Sequence, residues 1–319
     1  MKFPLLQLSL FLCLHLTARA EPIDQVIELA GVSHFLPVGP WKIHYLEFNH
    51  PGQPIVIFPG MTEPAVKYWH LAKYFQRQGF PVYVLDHIGQ GFSSSELNQD
   101  KDNRFKVHIH KFEDYVKAAT EFLKFVKKRH KKKPFVLAHS MGGQIAIRTI
   151  EAHPDLVDRL VTTAPMLKME LGWMPSWLVS TVLSLFDKER WIPGRPPRDN
   201  PTAVKNSRVT HSQEQLDFVH ELFQKFPEAQ RKGPTVGWLQ QSLQQTQIPI
   251  QYQRIQIPVL LMTAGQDFFV KIPPQRSFCK NLSQCQWVFI KEARHEIFFE
   301  KEDIRKLALQ KTLKFFNRN

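Results

Sequence analysis

Apolar and polar positions along this chain fall into two alternating patterns. Short runs rich in apolar residues stand at 41–48, 55–58, 82–85, 135–138, 160–163, 259–263 and 287–290. Longer segments with apolar residues three and four apart lie between them or follow the last, at 65–78, 112–128, 142–153 and 304–316. Runs with little polar alternation predict strands buried on both faces. Their alternation with amphipathic helices predicts an α/β protein with a mostly parallel, doubly wound sheet. The rhythm stops from 166 to 253, where Trp173, Trp177, Trp191 and Trp238 occur among prolines and two helical stretches, 177–185 and 213–226. That interval is expected to be a helical cap inserted into one domain spanning 21–319. There is no internal repeat and no low-complexity tract.

The N-terminus follows a different plan. Lys2 precedes an apolar run from Phe3 to Leu16, and small residues flank Arg19 in Ala18-Arg19-Ala20. This is the layout of an export signal over 1–20 with cleavage before Glu21, and the run is shorter than the roughly 20 residues that span a bilayer. An uncleaved membrane anchor is the alternative. The mature protein is therefore expected in the periplasm or outside the cell. Cys13 would leave with the leader, so Cys279 and Cys285 remain in an oxidising compartment at a spacing that closes one small loop, and a disulfide is expected between them. No second Cys or His pair stands at zinc-ligand spacing, so no metal is expected.

Composition adds a field to this picture. The 319 residues are 43% hydrophobic, enough for a sizeable core, and carry a formal charge of +13 that falls to +11 once Lys2 and Arg19 are removed. A basic surface favours acidic partners. The densest run, Lys127-Lys-Arg-His-Lys-Lys-Lys133, follows an amphipathic helix and precedes a strand, so it reads as a helix C-terminus, where cations suit the dipole. No aromatic interleaving or zinc finger accompanies it, which argues against a nucleic-acid partner. Peripheral contact with an anionic membrane surface is the use the charge fits better.

The candidate chemistry sits at strand ends. Phe135-Val-Leu-Ala-His-Ser-Met-Gly-Gly143 runs from a buried strand through a sharp turn into a helix, the context of a nucleophile elbow. Small residues are needed two positions either side of the serine because strand and helix backbones approach closely there; Ala138 and Gly142 supply them. Ser140 is the candidate nucleophile. A serine hydroxyl needs a base, and the base needs a carboxylate, in the chain order serine, acid, histidine. Asp267 follows the strand at 259–263 in Thr-Ala-Gly-Gln-Asp, and His295 follows the strand at 287–290 in Glu-Ala-Arg-His-Glu. Of 14 histidines, His295 has the strand-end position after the acid, whereas His87, His139 and His211 do not. Glu292, Glu296 and Glu300 are the alternative acids.

Two backbone amides are expected to hold a developing oxyanion: Met141, which follows the nucleophile, and Met61, which follows the Pro59-Gly60 turn after the apolar strand at 55–58. Asp86-His-Ile-Gly-Gln-Gly-Phe-Ser93 reads as a glycine-dependent turn shaping the floor beside the site; its spacing is wrong for a phosphate loop.

Taken together, Pro59-Gly-Met-Thr-Glu-Pro64, Asp86–Ser93, Ala138-His-Ser-Met-Gly-Gly143, Gly233-Pro-Thr-Val-Gly-Trp238 and Ala293-Arg-His-Glu296 resemble the bacterial lysophospholipases related to monoacylglycerol lipase. The likeness runs from about Trp41 to Phe316. It departs from the family at Pro59-Gly60, where relatives carry His-Gly, and at Ala138, where many have Gly. The resemblance implies the α/β-hydrolase fold, a helical cap over 166–253 and the triad Ser140, Asp267 and His295. It also implies hydrolysis of a lipid ester, a lysophospholipid or monoacylglycerol, through an acyl-enzyme and without a cofactor. The cap aromatics Trp173, Trp177, Phe186 and Trp191 would together line an acyl-chain pocket, with plain packing the alternative for any single one of them. Hydrolysis of a peptide or non-lipid ester, or a non-catalytic binding role on the same scaffold, are the other readings.

Overall fold

The computed structural model describes residues 31–318 except 99, 101, 196 and 198; the expected leader at 1–20 lies outside them. The central sheet contains β1 (Val32–Val38), β2 (Trp41–Phe48), β3 (Ile55–Phe58), β4 (Val82–Leu85), β5 (Phe135–His139), β6 (Arg159–Thr163), β7 (Val259–Ala264) and β8 (Cys285–Ile290). Their spatial order is β1-β2-β4-β3-β5-β6-β7-β8. β2 runs antiparallel to both β1 and β4, and every later pairing is parallel. Reversal of direction along the order at β3 and β4 is what makes the sheet doubly wound, and it leaves the C-terminal ends of β3 and β5 side by side.

Successive residues of one strand enter opposite cores. Ile55 and Ile57 pack on one side of the sheet and Val56 and Phe58 on the other, all fully buried. Two-sided burial is the reason these strands carry unbroken apolar runs. On one face lie α2 (Phe112–His130) and α3 (Met141–Ala152), through residues such as Phe122 and Ile145, with Phe278 of α7 (Ile272–Lys280). The other face is covered by α1 (Trp69–Arg77), α5 (Gln213–Lys225) and α8 (Glu302–Phe316), through Phe75, Leu222 and Phe315. The basic run does end a helix: α2 closes at His130 with Lys131 in the left-handed region at φ 55°.

Three elements carry no clear sequence signal. β1 is an edge strand with Val32 and Phe35 exposed, so its apolar pattern is broken. α6 (Val236–Gln247) is rich in glutamine, and α7 opens on Pro273 and Pro274, which read as loop but are tolerated in a first helical turn.

The segment between β6 and β7 holds α4 (Ser176–Leu183), α5 and α6. It is not uniformly separate from the sheet. α5 joins the main core, whereas α4 and α6 share a small cluster of Leu183, Val236 and Leu243. Arg231 ties the segment to the turn after β4, donating from Nε to the Gly89 carbonyl at 2.8 Å and from Nη2 to that of Gly91 at 3.0 Å. Cys279 of α7 is bonded to Cys285 at the start of β8, with Cα atoms 5.3 Å apart. No helix among the described residues is long and apolar enough to cross a membrane.

Candidate active site

Ser140 sits at the junction of β5 and α3 with φ 51° and ψ −116°, a conformation that costs a non-glycine residue on the order of 1–3 kcal/mol. Its surroundings enforce it. The Ser140 N–H donates to the Thr163 carbonyl and the Ser140 carbonyl accepts from Met166 N–H, each at 3.0 Å. A Cβ on Gly142 would stand 2.3 Å from the Phe58 oxygen and 2.4 Å from that of Pro59, so only glycine lets α3 start against the end of β3.

Parallel pairing carries the other two residues to the same edge of the sheet, because Asp267 and His295 lie just past the C-terminal ends of β7 and β8. His295 Nε2 is 2.9 Å from Ser140 Oγ, and His295 Nδ1 is 2.7 Å from Asp267 Oδ2. The second Asp267 oxygen accepts the Phe269 and Val270 N–H groups at 2.8 and 3.1 Å. Burial would disfavour the Asp267 charge, but His295 and those amides hold the carboxyl below its ordinary range. Burial likewise opposes the imidazolium, and the Asp267 carboxylate outweighs it, raising His295 above its usual value. Both shifts favour an aspartate–imidazolium pair, the state a proton-accepting histidine passes through. The alternative acids have other partners. Glu296 pairs with Lys67, Glu300 lies 2.8 Å from His211 Nδ1, and Glu292 stands beside Gln266.

Register explains the proximity of the Pro59-Gly60 turn: Phe58 pairs with Ala138, so the chain leaving β3 emerges beside the elbow. Gly60 N–H donates to Glu63 Oε2 at 2.7 Å, and Thr62 N–H, at φ 65°, donates to Gln90 Oε1. Among the described residues, no hydrogen bond takes up the Met61 N–H between them or the Met141 N–H that opens α3. The Asp86–Ser93 turn braces this loop from below: buried Asp86 accepts the Ala65 and Phe92 N–H groups at 2.6 and 3.0 Å and stands 2.6 Å from His44 Nδ1.

A buried ionic group behind the histidine escaped the sequence reading. Lys67 Nζ bridges Glu63 Oε1 and Glu296 Oε2, and Tyr68 donates its hydroxyl to Glu63 at 2.6 Å. The His139 ring packs against His295 at 4.7 Å and faces Glu63, and burial pushes its pKa down to about 4. The available signal was Glu63 and Lys67 four apart at the start of an otherwise apolar segment.

The expected acyl pocket is not assembled from the four aromatics. Trp173 and Trp177 are 88% and 64% exposed, Phe186 lies under the Arg190 guanidinium, and Trp191 bridges to Thr235 beside Lys106. α4 buries only Leu183 of its eight residues; Val179 packs half-buried against the same small cluster, and Trp177 and Val182 are exposed. A cleft of about 560 Å³ among Glu113, Lys117, Arg148 and Gln251 shares no residue with the Ser140 site.

Residues 49–302 match the hydrolase family described as "Serine aminopeptidase, S33". The chain belongs to that family. Among its relatives is lysophospholipase L2 of Escherichia coli, 29% identical over 308 residues that cover 90% of this chain and 87% of that protein. Solved structures share the fold. A soluble variant of monoglyceride lipase from Saccharomyces cerevisiae, bound to a substrate analogue, aligns with a TM-score of 0.69 at 15% identity, covering 89% of this chain and 94% of the other. Monoacylglycerol lipase of Paleococcus ferrophilus aligns with a TM-score of 0.64 at 21% identity, covering 86% and 98%. The fold is thus the α/β-hydrolase fold and the protein is a hydrolase.

Proposed function

We propose that this hydrolase cleaves carboxylic esters of lipids, lysophospholipids or monoacylglycerols, through an acyl-enzyme on Ser140. The observation that carries the proposal is the unbroken chain of hydrogen bonds from Ser140 Oγ through His295 to Asp267. In this reading Ser140 attacks the acyl carbonyl while its proton passes to His295 Nε2, and Asp267 holds the ring in the matching tautomer. The Met61 and Met141 amides receive the oxyanion. Collapse of the tetrahedral intermediate transfers the proton to the leaving alcohol, and water then repeats the sequence to release the fatty acid.

Names given to relatives, lysophospholipase L2 among them, favour a lipid over a peptide substrate, although the family description is that of an aminopeptidase. Exposed Trp173, Trp177 and Leu185 together with the net positive charge suit approach to an anionic lipid surface, and the leader-like N-terminus suits export to the periplasm or beyond.

Free fatty acid release from lysophosphatidylcholine and from monoacylglycerol tests this, with Ser140→Ala as control. Release that disappears in the control supports the proposal and ranks the headgroups. A folded wild-type chain inert on both lipids but active on aminoacyl amides would overturn it in favour of peptide chemistry.

A further inference from the structure

We infer that Glu96, His108 and His110 form a binding site for a zinc-like divalent transition-metal ion, at the seam between the loop after β4 and the start of α6. The inference stands apart from the hydrolase reading and shares no residue with the Ser140 site.

Residues Lys106–Val107 are extended and pair with Gly233–Pro234. The chain continues into His108-Ile109-His110, in which the imidazoles, two positions apart, share one side while Ile109 is fully buried in the core. His108 Nε2 and His110 Nδ1 lie 3.1 Å apart. Two imidazoles on one tetrahedral zinc, each bonded at about 2.0–2.1 Å, place their nitrogens about 3.3 Å from each other, so the pair stands close to a chelating geometry. Glu96 supplies a third donor. Its Oε2 accepts the His110 N–H at 2.6 Å, and donor atoms of all three residues fall within 4.8 Å of one another. Rotation of this half-buried side chain on an irregular loop brings a carboxylate oxygen to the ion.

The far side of His108 is also built for ligation. His108 Nδ1 is 2.7 Å from Thr235 Oγ1, the side chain that caps α6 by accepting the Trp238 N–H at 3.1 Å. A proton on Nδ1 donated to Thr235 leaves the Nε2 lone pair facing His110 and Glu96, the tautomer a metal requires. Two imidazoles with one carboxylate suit zinc, cobalt(II) or nickel(II), whereas calcium and magnesium prefer all-oxygen sites. His110 is exposed and provides the entry path. The ion would bind the loop after β4 to the cap of α6 through the His108–Thr235 bond.

The test is titration of the mature chain, stripped with a chelator, by zinc chloride in a calorimeter and by cobalt chloride in the visible spectrum. Expected are a single zinc site, tetrahedral cobalt bands, and affinity reduced at least about tenfold in both His110→Ala and Glu96→Gln. Zinc should also raise the thermal midpoint of the wild type and not that of His110→Ala, while calcium and magnesium leave both unchanged. Zinc affinity equal in the wild type and in folded His110→Ala overturns the inference, as does the absence of zinc binding in the wild type.

Discussion

Glu296 follows His295 in the chain, yet its carboxylate pairs with Lys67, whose Nζ lies 2.7 Å from Oε2. Lys67 also neutralises Glu63, so two buried carboxylates share one cation behind the candidate base. Burial pushes the Glu296 carboxyl up to about 7 against the pull of Lys67, with the Glu63 charge adding to the rise. Glu63 goes the other way: despite burial, Lys67, His139 and the Tyr68 hydroxyl hold it well below the carboxylate range.

This division predicts a pH dependence of stability. A carboxyl whose pKa is higher folded than unfolded binds its proton more tightly in the native state, so stability falls as pH rises from about 4.5 towards 7. Between pH 5 and 7 the thermal midpoint of the wild type should decline relative to that of Glu296→Gln, which carries no titrating proton there. Parallel curves for the two proteins would remove Glu296 from the account.

The pairing of His295 with Asp267 predicts the acid limb of activity. The base works as neutral imidazole, and Asp267 raises its pKa against the effect of burial, so kcat/KM should rise with pH to a midpoint above that of an ordinary histidine. In Asp267→Asn the midpoint should move to lower pH and kcat fall by about 10⁴-fold, since the amide favours the wrong tautomer. A pH–rate profile on a soluble ester checks both; an unmoved midpoint contradicts the assignment.

The Cys279–Cys285 bond closes a short loop, with a sequence separation of 6. Loop-closure entropy for so short a ring amounts to about 2 kcal/mol. Replacing both cysteines by serine should lower the urea midpoint accordingly while leaving ester hydrolysis at room temperature intact, because neither cysteine contacts Ser140, His295 or Asp267.

Trp173 and Trp177 are too exposed to support the core. Their double replacement by alanine should leave the thermal midpoint and turnover of a soluble ester unchanged but reduce hydrolysis of lysophospholipid in anionic vesicles several-fold. Raising the salt should weaken the wild-type reaction on those vesicles as well. Equal loss on soluble and vesicular substrate would instead mean that these residues shape the site itself.

The sequence by itself determined the sheet from β2 onward and the three residues joined by hydrogen bonds at its edge. Strands buried on both faces must be apolar throughout, so β3, β4 and β5 stand out, and a serine forced into a tight strand-to-helix turn leaves Ala138, Gly142 and Gly143 around Ser140 as its trace. Asp267 and His295 were legible from their positions past β7 and β8. Tertiary structure decided what depends on contacts between distant segments. Edge strand β1 has only one partner and needs no continuous apolar run, and α7 begins with two prolines that only its first helical turn tolerates. The Lys67 bridge joins Glu63 to a residue more than two hundred positions away, and His108 meets Thr235 because a short β ladder brings 106–107 beside 233–234. Whether an apolar side chain such as Trp177 of α4 faces core or solvent is likewise undecided by local pattern, because a helix with apolar residues on several sides buries only the side its neighbours cover.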